Sequence, residues 1–202
     1  MAVSNPPEMR SNCHQKRKSA ALNMKFLAIF NLISTVVLFP GLQGAHFRFT
    51  NFHCNSLDPQ FVEVKECFLK MVSRNVVGMN FHLGIKYDKP INKIQFNLSI
   101  FRKSNVYRLF LVNHTIDFCY YMRRPKQYPI FYMFHDSLMA ATNANHTCPY
   151  AEKDIYVRKM TFNEQTVRDL LSFLPEGEYK LVVSVSAFGV WRLQVNVYGQ
   201  RD

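Results

Sequence analysis

The sequence predicts a mainly β fold: an immunoglobulin-like antiparallel β-sandwich carrying one amphipathic helix. Three observations lead there. Apolar and polar residues alternate with period two in stretch after stretch, four cysteines follow an N-terminal apolar segment, and one segment alone switches clearly to helical spacing. Period-two alternation marks strands with one buried and one wet face, which is how antiparallel sheets are built.

The elements follow in order. "FRFTNFHC" and "FVEVKECFL" read as two strands, with "NSLDPQ" between them as a turn around Asp58-Pro59. "MNFHLGIKY" puts Met79, Phe81, Leu83, Ile85 and Tyr87 on one face, and "INKIQFNLSIF" does the same for Ile94, Phe96, Leu98 and Ile100. "NVYRLFLVNHTIDFCYY" is strand-like, but its parity slips between Leu111 and Ile116, which predicts a bulge or break. "KLVVSVSA" sends Leu181, Val183, Val185 and Ala187 inward, and "WRLQVNVYG" sends Trp191, Leu193, Val195 and Val197 inward, with a hairpin turn at Ala187–Val190. Ile130, Phe131, Phe134, Leu138 and Ala141 recur near 3.6-residue spacing behind Pro129, predicting one helix from Pro129 to Ala141. His135 and Asp136 fall on its polar side. "NEQTVRDLLSF" could add a short second helix with Asn163 as N-cap. Seven or eight strands with little helix make a sandwich.

The chain divides into three parts. Residues 1–23 are polar and basic, without hydrophobic period, and are read as a leader or as lying upstream of a start at Met24. Residues 24–45 run from Lys25 through an apolar stretch, Phe26 to Phe39, to Pro40-Gly41 and the small residues Gly44 and Ala45. That is the order of a secretory signal peptide, and the stretch is short for ~30 Å of hydrocarbon. Residues 46–202 are then a single β-sandwich domain, expected to be secreted and extracellular.

An oxidising compartment gives the cysteines their meaning. Cys13 lies in the leader, so Cys54, Cys67, Cys119 and Cys148 remain, an even number that reads as two disulfides. If the first two strands fold back as a hairpin, Cys54 and Cys67 stand directly opposite, ~4.5–5.5 Å apart at Cα, within disulfide reach. The expected pairs are Cys54–Cys67 and Cys119–Cys148. Three N-glycosylation sequons begin at Asn97, Asn113 and Asn145. Asn97 sits on the outward side of its strand's alternation.

Several chemistries find no support. There is no C-x-x-C and no zinc-like ligand spacing, so no metal and no cofactor are expected. His146 and Cys148 could suggest a thiol site, but a sequon and a disulfide account for both. The sequence holds no phosphate loop, nucleophile elbow or H-E-x-x-H, and no enzyme activity is expected. Asp117 is better used to satisfy backbone donors beside a disulfide.

The segments "FRFTNFHC", "VKECFLKMVSRNV", "KPINKIQFNLSIFRK", "YRLFLVNHTIDFC", "NANHTCPY" and "LPEGEYKLVVSV" carry a resemblance. So does the order Asp117-x-Cys119, Asn145-His146-x-Cys148-Pro149, Pro175-Glu176-Gly177-x-Tyr179. From about Phe49 to Tyr198 the chain resembles a large insect family of secreted proteins of unknown function that includes the CheB chemosensory proteins. That family is remotely similar to the ML lipid-recognition proteins, whose sandwich holds a lipid between its sheets.

Two functional readings follow. In the first, implied by the resemblance, the protein binds a hydrophobic or lipid-like ligand in a chemosensory setting. Phe81, Leu83, Ile85, Phe96, Leu98, Ile100, Trp191 and Leu193 would line the cavity, with Phe131 and Phe134 over one end. The same residues would also make an ordinary close-packed core. In the second, the protein is an accessory that binds a receptor, a membrane surface or another acidic surface. Residues 46–202 carry a net +7, since 25 − 5 = 20 cations and 14 − 1 = 13 anions remain. Its contacts would be Arg102 and Lys103, near Arg108, and Arg123, Arg124 and Lys126. Nucleic acid is excluded by the compartment.

Overall fold

Bulges, as much as alternation, shape this fold. The computed structural model describes residues 47–74, 76–162, 169 and 174–202. The expected leader and signal peptide over 1–45 and, apart from Asp169, the helix expected over 163–173 lie outside the described residues.

Among the described residues eight strands form two antiparallel sheets. They are β1 (Phe47–Ser56), β2 (Val62–Ser73), β3 (Val76–Ile85), β4 (Ile94–Lys103), β5 (Tyr107–Asp117), β6 (Asp154–Met160), β7 (Gly177–Ala187) and β8 (Val190–Arg201). One sheet has the order β1-β8-β7-β4-β5 and the other β2-β3-β6. The antiparallel β-sandwich is therefore as expected.

The first two strands are not the hairpin the sequence suggested. β1 pairs with β8 and β2 with β3, so Cys54 and Cys67 lie on the edge strands of different sheets. They are nonetheless bonded, with Cα atoms 5.9 Å apart. Two bulges make this geometry. In β1 the register slips between Phe49 and Asn51, moving the inward set from Phe47 and Phe49 to Phe52 and Cys54. In β2 it slips between Val64 and Glu66, moving the inward set from Val62 and Val64 to Cys67 and Leu69. An extra residue on one strand reverses the facing of all that follow. Both cysteines are thereby turned toward the opposite sheet.

The opposite side of the sandwich is filled differently. The sequence predicted strand through Tyr121, but β5 ends at Asp117, and α1 (Phe118–Arg123) begins there. The Asp117 side chain accepts from the Tyr120 amide at 2.8 Å, the usual N-cap contact. This is the backbone-satisfying role expected of Asp117. A 3-10 turn (Pro125–Gln127) leads to α2 (Pro129–Tyr132) and α3 (His135–Ala141). The single helix expected from Pro129 to Ala141 is thus split at Met133–Phe134. β5 does carry an irregularity, since Ser99 pairs with Asn113 while Phe101 pairs with Leu109, but the two extra residues keep the facing unchanged. Phe110, Val112 and Ile116 share the inner side and Leu109 and Leu111 are exposed, so the parity slip expected between Leu111 and Ile116 does not occur. Cys119 of α1 is bonded to Cys148, Cα to Cα 5.4 Å, and so ties the helical corner to the loop before β6.

Two motifs close the ends. Phe188 (φ 53°) and Gly189 (φ 79°) join β7 to β8, and two consecutive positive φ values define the I′-type hairpin turn that suits strand twist. At the other end the Tyr179 hydroxyl donates back to the Pro175 carbonyl at 2.5 Å, across Gly177, whose φ of 143° favours glycine. This contact explains the Pro-Glu-Gly-x-Tyr order.

Replacing Cys54 and Cys67 together by serine should lower the unfolding free energy by about 3 kcal/mol, the chain-entropy value for a separation of 13 residues. Urea denaturation of the purified variant measures it. A loss below about 1 kcal/mol would mean that packing alone holds the sheets in place.

Candidate functional site

Inward residues on central strands of a sandwich should be its most buried positions. Here several are not. On β7, which lies between β8 and β4, Leu181, Val183 and Val185 face inward yet are only half-buried, whereas the intervening Val182 is buried. Their exposed surface faces an internal cavity of about 320 Å³. The cavity runs between the sheets, from Phe61 and Ile91 near the β7–β8 turn to Phe47, Ile100 and Tyr179 at the opposite end.

Nine of the ten expected lining residues are brought together. Phe81, Leu83 and Ile85 come from β3, Phe96, Leu98 and Ile100 from β4, Leu193 from β8, and Phe131 and Phe134 from the helical corner. Phe96 stacks on Phe118 with centroids 4.0 Å apart, and Phe134 meets Phe162 edge-on at 5.4 Å.

Trp191 is the exception and corrects the sequence reading. It is 43% exposed and does not line the cavity. A two-residue turn would pair Val185 with Arg192, but a bulge lets Val185 pair with Leu193 and Ser186 with Trp191. Trp191 therefore turns outward and Arg192 inward. The Arg192 guanidinium lies over the Phe61 ring at 4.3 Å and pairs with Asp58. The mismatch of a valine opposite an arginine was the signal in the sequence that could have revealed the bulge.

The cavity's polar groups are few and mostly engaged. The hydroxyls of Tyr150 and Tyr179 donate to backbone carbonyls of His146 and Pro175. The Tyr121 hydroxyl lies 2.9 Å from His135 Nδ1 and 3.3 Å from the Phe131 carbonyl, and burial pushes its phenol pKa well up. His135 lines the cavity rather than lying on the polar side of its helix, which corrects that expectation. Asp136 is exposed, as expected. The break before α3 reorients the helix and accounts for His135. Among the described residues no group of three or more His, Cys, Asp or Glu side chains is arranged to hold a metal.

The sequons and basic residues lie outside the cavity. Asn97 and Asn113 are neighbours on the outer face of β4 and β5. Asn97 Nδ2 donates to Asn113 Oδ1 at 2.8 Å and to Thr115 Oγ1 at 2.9 Å. Asn145 is exposed in the loop before β6. Arg102 and Lys103 sit at the β4–β5 turn, where Arg102 donates to the Glu176 carbonyl and Lys103 pairs with Glu178 at 2.8 Å. Arg123, Arg124 and Lys126 lie beyond the far end of β5, about 30 Å away along that strand. The two basic clusters form no common surface.

The loop of Asn145 also holds a titrating pair. His146 offers Nδ1 to the Thr147 carbonyl at 2.8 Å and Nε2 to Glu152 at 2.6 Å, and only the doubly protonated ring can donate both. The Thr147 carbonyl, then the Glu152 carboxylate, hold the His146 pKa above its ordinary value. Burial pushes the Glu152 carboxyl up, but its hydrogen bonds, chiefly with His146, outweigh that and leave it lowered.

Residues 96–181 match the family model described as "Protein of unknown function (DUF1091)". The matched stretch contains Asp117, both cysteines of the Cys119–Cys148 bond and the Pro175–Tyr179 motif. No curated protein matches the chain. Among the described residues no helix is long and apolar enough to cross a membrane, which together with two disulfides is compatible with an extracellular protein.

The raised His146 pKa contributes local stability that is complete below the unfolded value, about 6.5, and is lost as pH rises through the folded one. Amide exchange in residues 145–153 should therefore be slower at about pH 6 than at about pH 8 after correction for the intrinsic rate. His146→Gln should abolish the difference; an unchanged difference would assign it to another group.

Proposed function

We propose that this protein is a secreted, disulfide-bonded glycoprotein that holds a hydrophobic or lipid-like ligand between its sheets. The observation that supports it best is the apolar cavity itself. Its volume of about 320 Å³ is at the lower end of ligand pockets, ~300–1,000 Å³, and roughly twice the ~150 Å³ of an apolar cavity that takes up benzene. Ordinary interiors are packed without such space. Tyrosine hydroxyls directed at backbone carbonyls leave walls that recognise bulk and apolarity more than a hydrogen-bonding pattern.

The signal-peptide reading, the three sequons and the two disulfides support secretion. The resemblance to the CheB and ML lipid-recognition proteins supports the ligand class and a chemosensory role. The function is carriage or presentation, not catalysis: the ligand enters a dry interior and leaves chemically unchanged.

Native mass spectrometry of the protein secreted from eukaryotic cells should show a stoichiometric apolar adduct that organic solvent releases. Val183→Phe projects extra volume from the central strand into the cavity. In a filled core such overpacking costs typically 1–3 kcal/mol. Here it should cost less than about 1 kcal/mol and displace the adduct. A bare protein that also refuses fatty acids and sterols would refute the carrier reading, and a large loss of stability in Val183→Phe would refute the open interior.

A further inference from the structure

We propose that the end of the sandwich bearing the β7–β8 turn is a docking face for a phospholipid bilayer with anionic headgroups. Leu57 (50% exposed), Phe188 (38%), Val190 (49%) and Trp191 (43%) project there. They come from two turns held side by side, because the Leu57 amide donates to the Arg192 carbonyl at 2.8 Å. Phe188 holds a positive φ that bulky side chains rarely adopt, and its amide donates to the Lys93 carbonyl at 3.0 Å. The backbone thus keeps an aromatic residue at the tip of a turn. A contiguous patch of large apolar groups on a protein surface marks an interaction site.

Charge selects the occupant. The carboxylates of the β1–β2 and β3–β4 loops are each matched by a cation, Asp58 by Arg192 and Asp88 by Lys153. Lys86 is matched with Glu63. Lys89 and Lys93 are left exposed, with no ion pair among the described residues, beside the apolar tips. Apolar side chains that enter the interface, an amphipathic tryptophan at headgroup depth and unpaired lysines are the combination an anionic bilayer attracts. The patch is separate from the cavity and does not depend on a ligand in it. The two are nonetheless close, since Phe188 contacts Tyr87, Tyr87 stacks on Phe61, and Phe61 lines the cavity.

Trp191 is the chain's one tryptophan, so its fluorescence reports this face directly. The purified protein is titrated with phosphatidylcholine vesicles and with vesicles containing about a third phosphatidylglycerol. On the anionic vesicles Trp191 emission should shift to shorter wavelength and be quenched by brominated acyl chains. Binding should be at least about 10-fold tighter than to neutral vesicles, and K89E/K93E should remove most of that difference. Unchanged emission at saturating anionic lipid would overturn the proposal, as would equal binding to both vesicle types. Neither result bears on the cavity, which the adduct measurement tests separately.

Discussion

Everything else in this molecule depends on the covalent tie between two edge strands in different sheets. Cys54–Cys67 clamps one side of the sandwich, while the helical corner and Cys119–Cys148 close the other. Sheets that meet only through side chains close on any space between them; sheets pinned at both margins can tolerate one. An apolar void costs on the order of 24 cal/mol per Å³, so about 320 Å³ corresponds to roughly 8 kcal/mol. Bonds spanning 13 and 29 residues together offset about 6–7 kcal/mol through the unfolded chain.

The bulges are the means by which this arrangement is reached. Those in β1 and β2 turn the cysteines inward, and that in β8 turns Arg192 inward and Trp191 outward. One extra residue at each place changes the chemistry of both faces. The interior gains a guanidinium at its end, balanced by Asp58 and by the Phe61 ring. The surface gains a tryptophan beside Phe188 and Val190.

The polar surface is segregated from this apolar system. Two sequon asparagines share hydrogen bonds on the outer face of β4 and β5, away from the turns that carry the exposed apolar groups. The basic residues divide between the two ends of β5 rather than forming one field. A single acidic partner recognised by both clusters would have to span the sheet. The matched family segment covers the helical corner and its disulfide, the part of the fold that completes the second layer where it has only three strands.

Alternation by itself determined the sandwich, because a period of two can bury only one face of a strand. For the same reason it placed seven of the eight strand positions expected at the cavity; Phe131 and Phe134 came from helical spacing. Cysteine parity in a chain with a signal-like N-terminus was enough to expect two disulfides, but it leaves three pairings open. Cys54–Cys67 was reached through a hairpin that the fold does not contain, and the bond forms across the sheets instead. Asp117 was legible as a capping residue, while the helix it caps was hidden under apolar residues that fit a strand equally well. Only the tertiary structure decided which sheet each strand joined, where the predicted helix broke, and which way Trp191, Arg192 and His135 faced. Those outcomes rest on register, and register is set by partners distant in sequence: one inserted residue reverses a strand's faces without altering its composition. Whether the inward residues would meet or stand apart was likewise beyond the sequence, since a filled core and a lined cavity are written with the same apolar side chains.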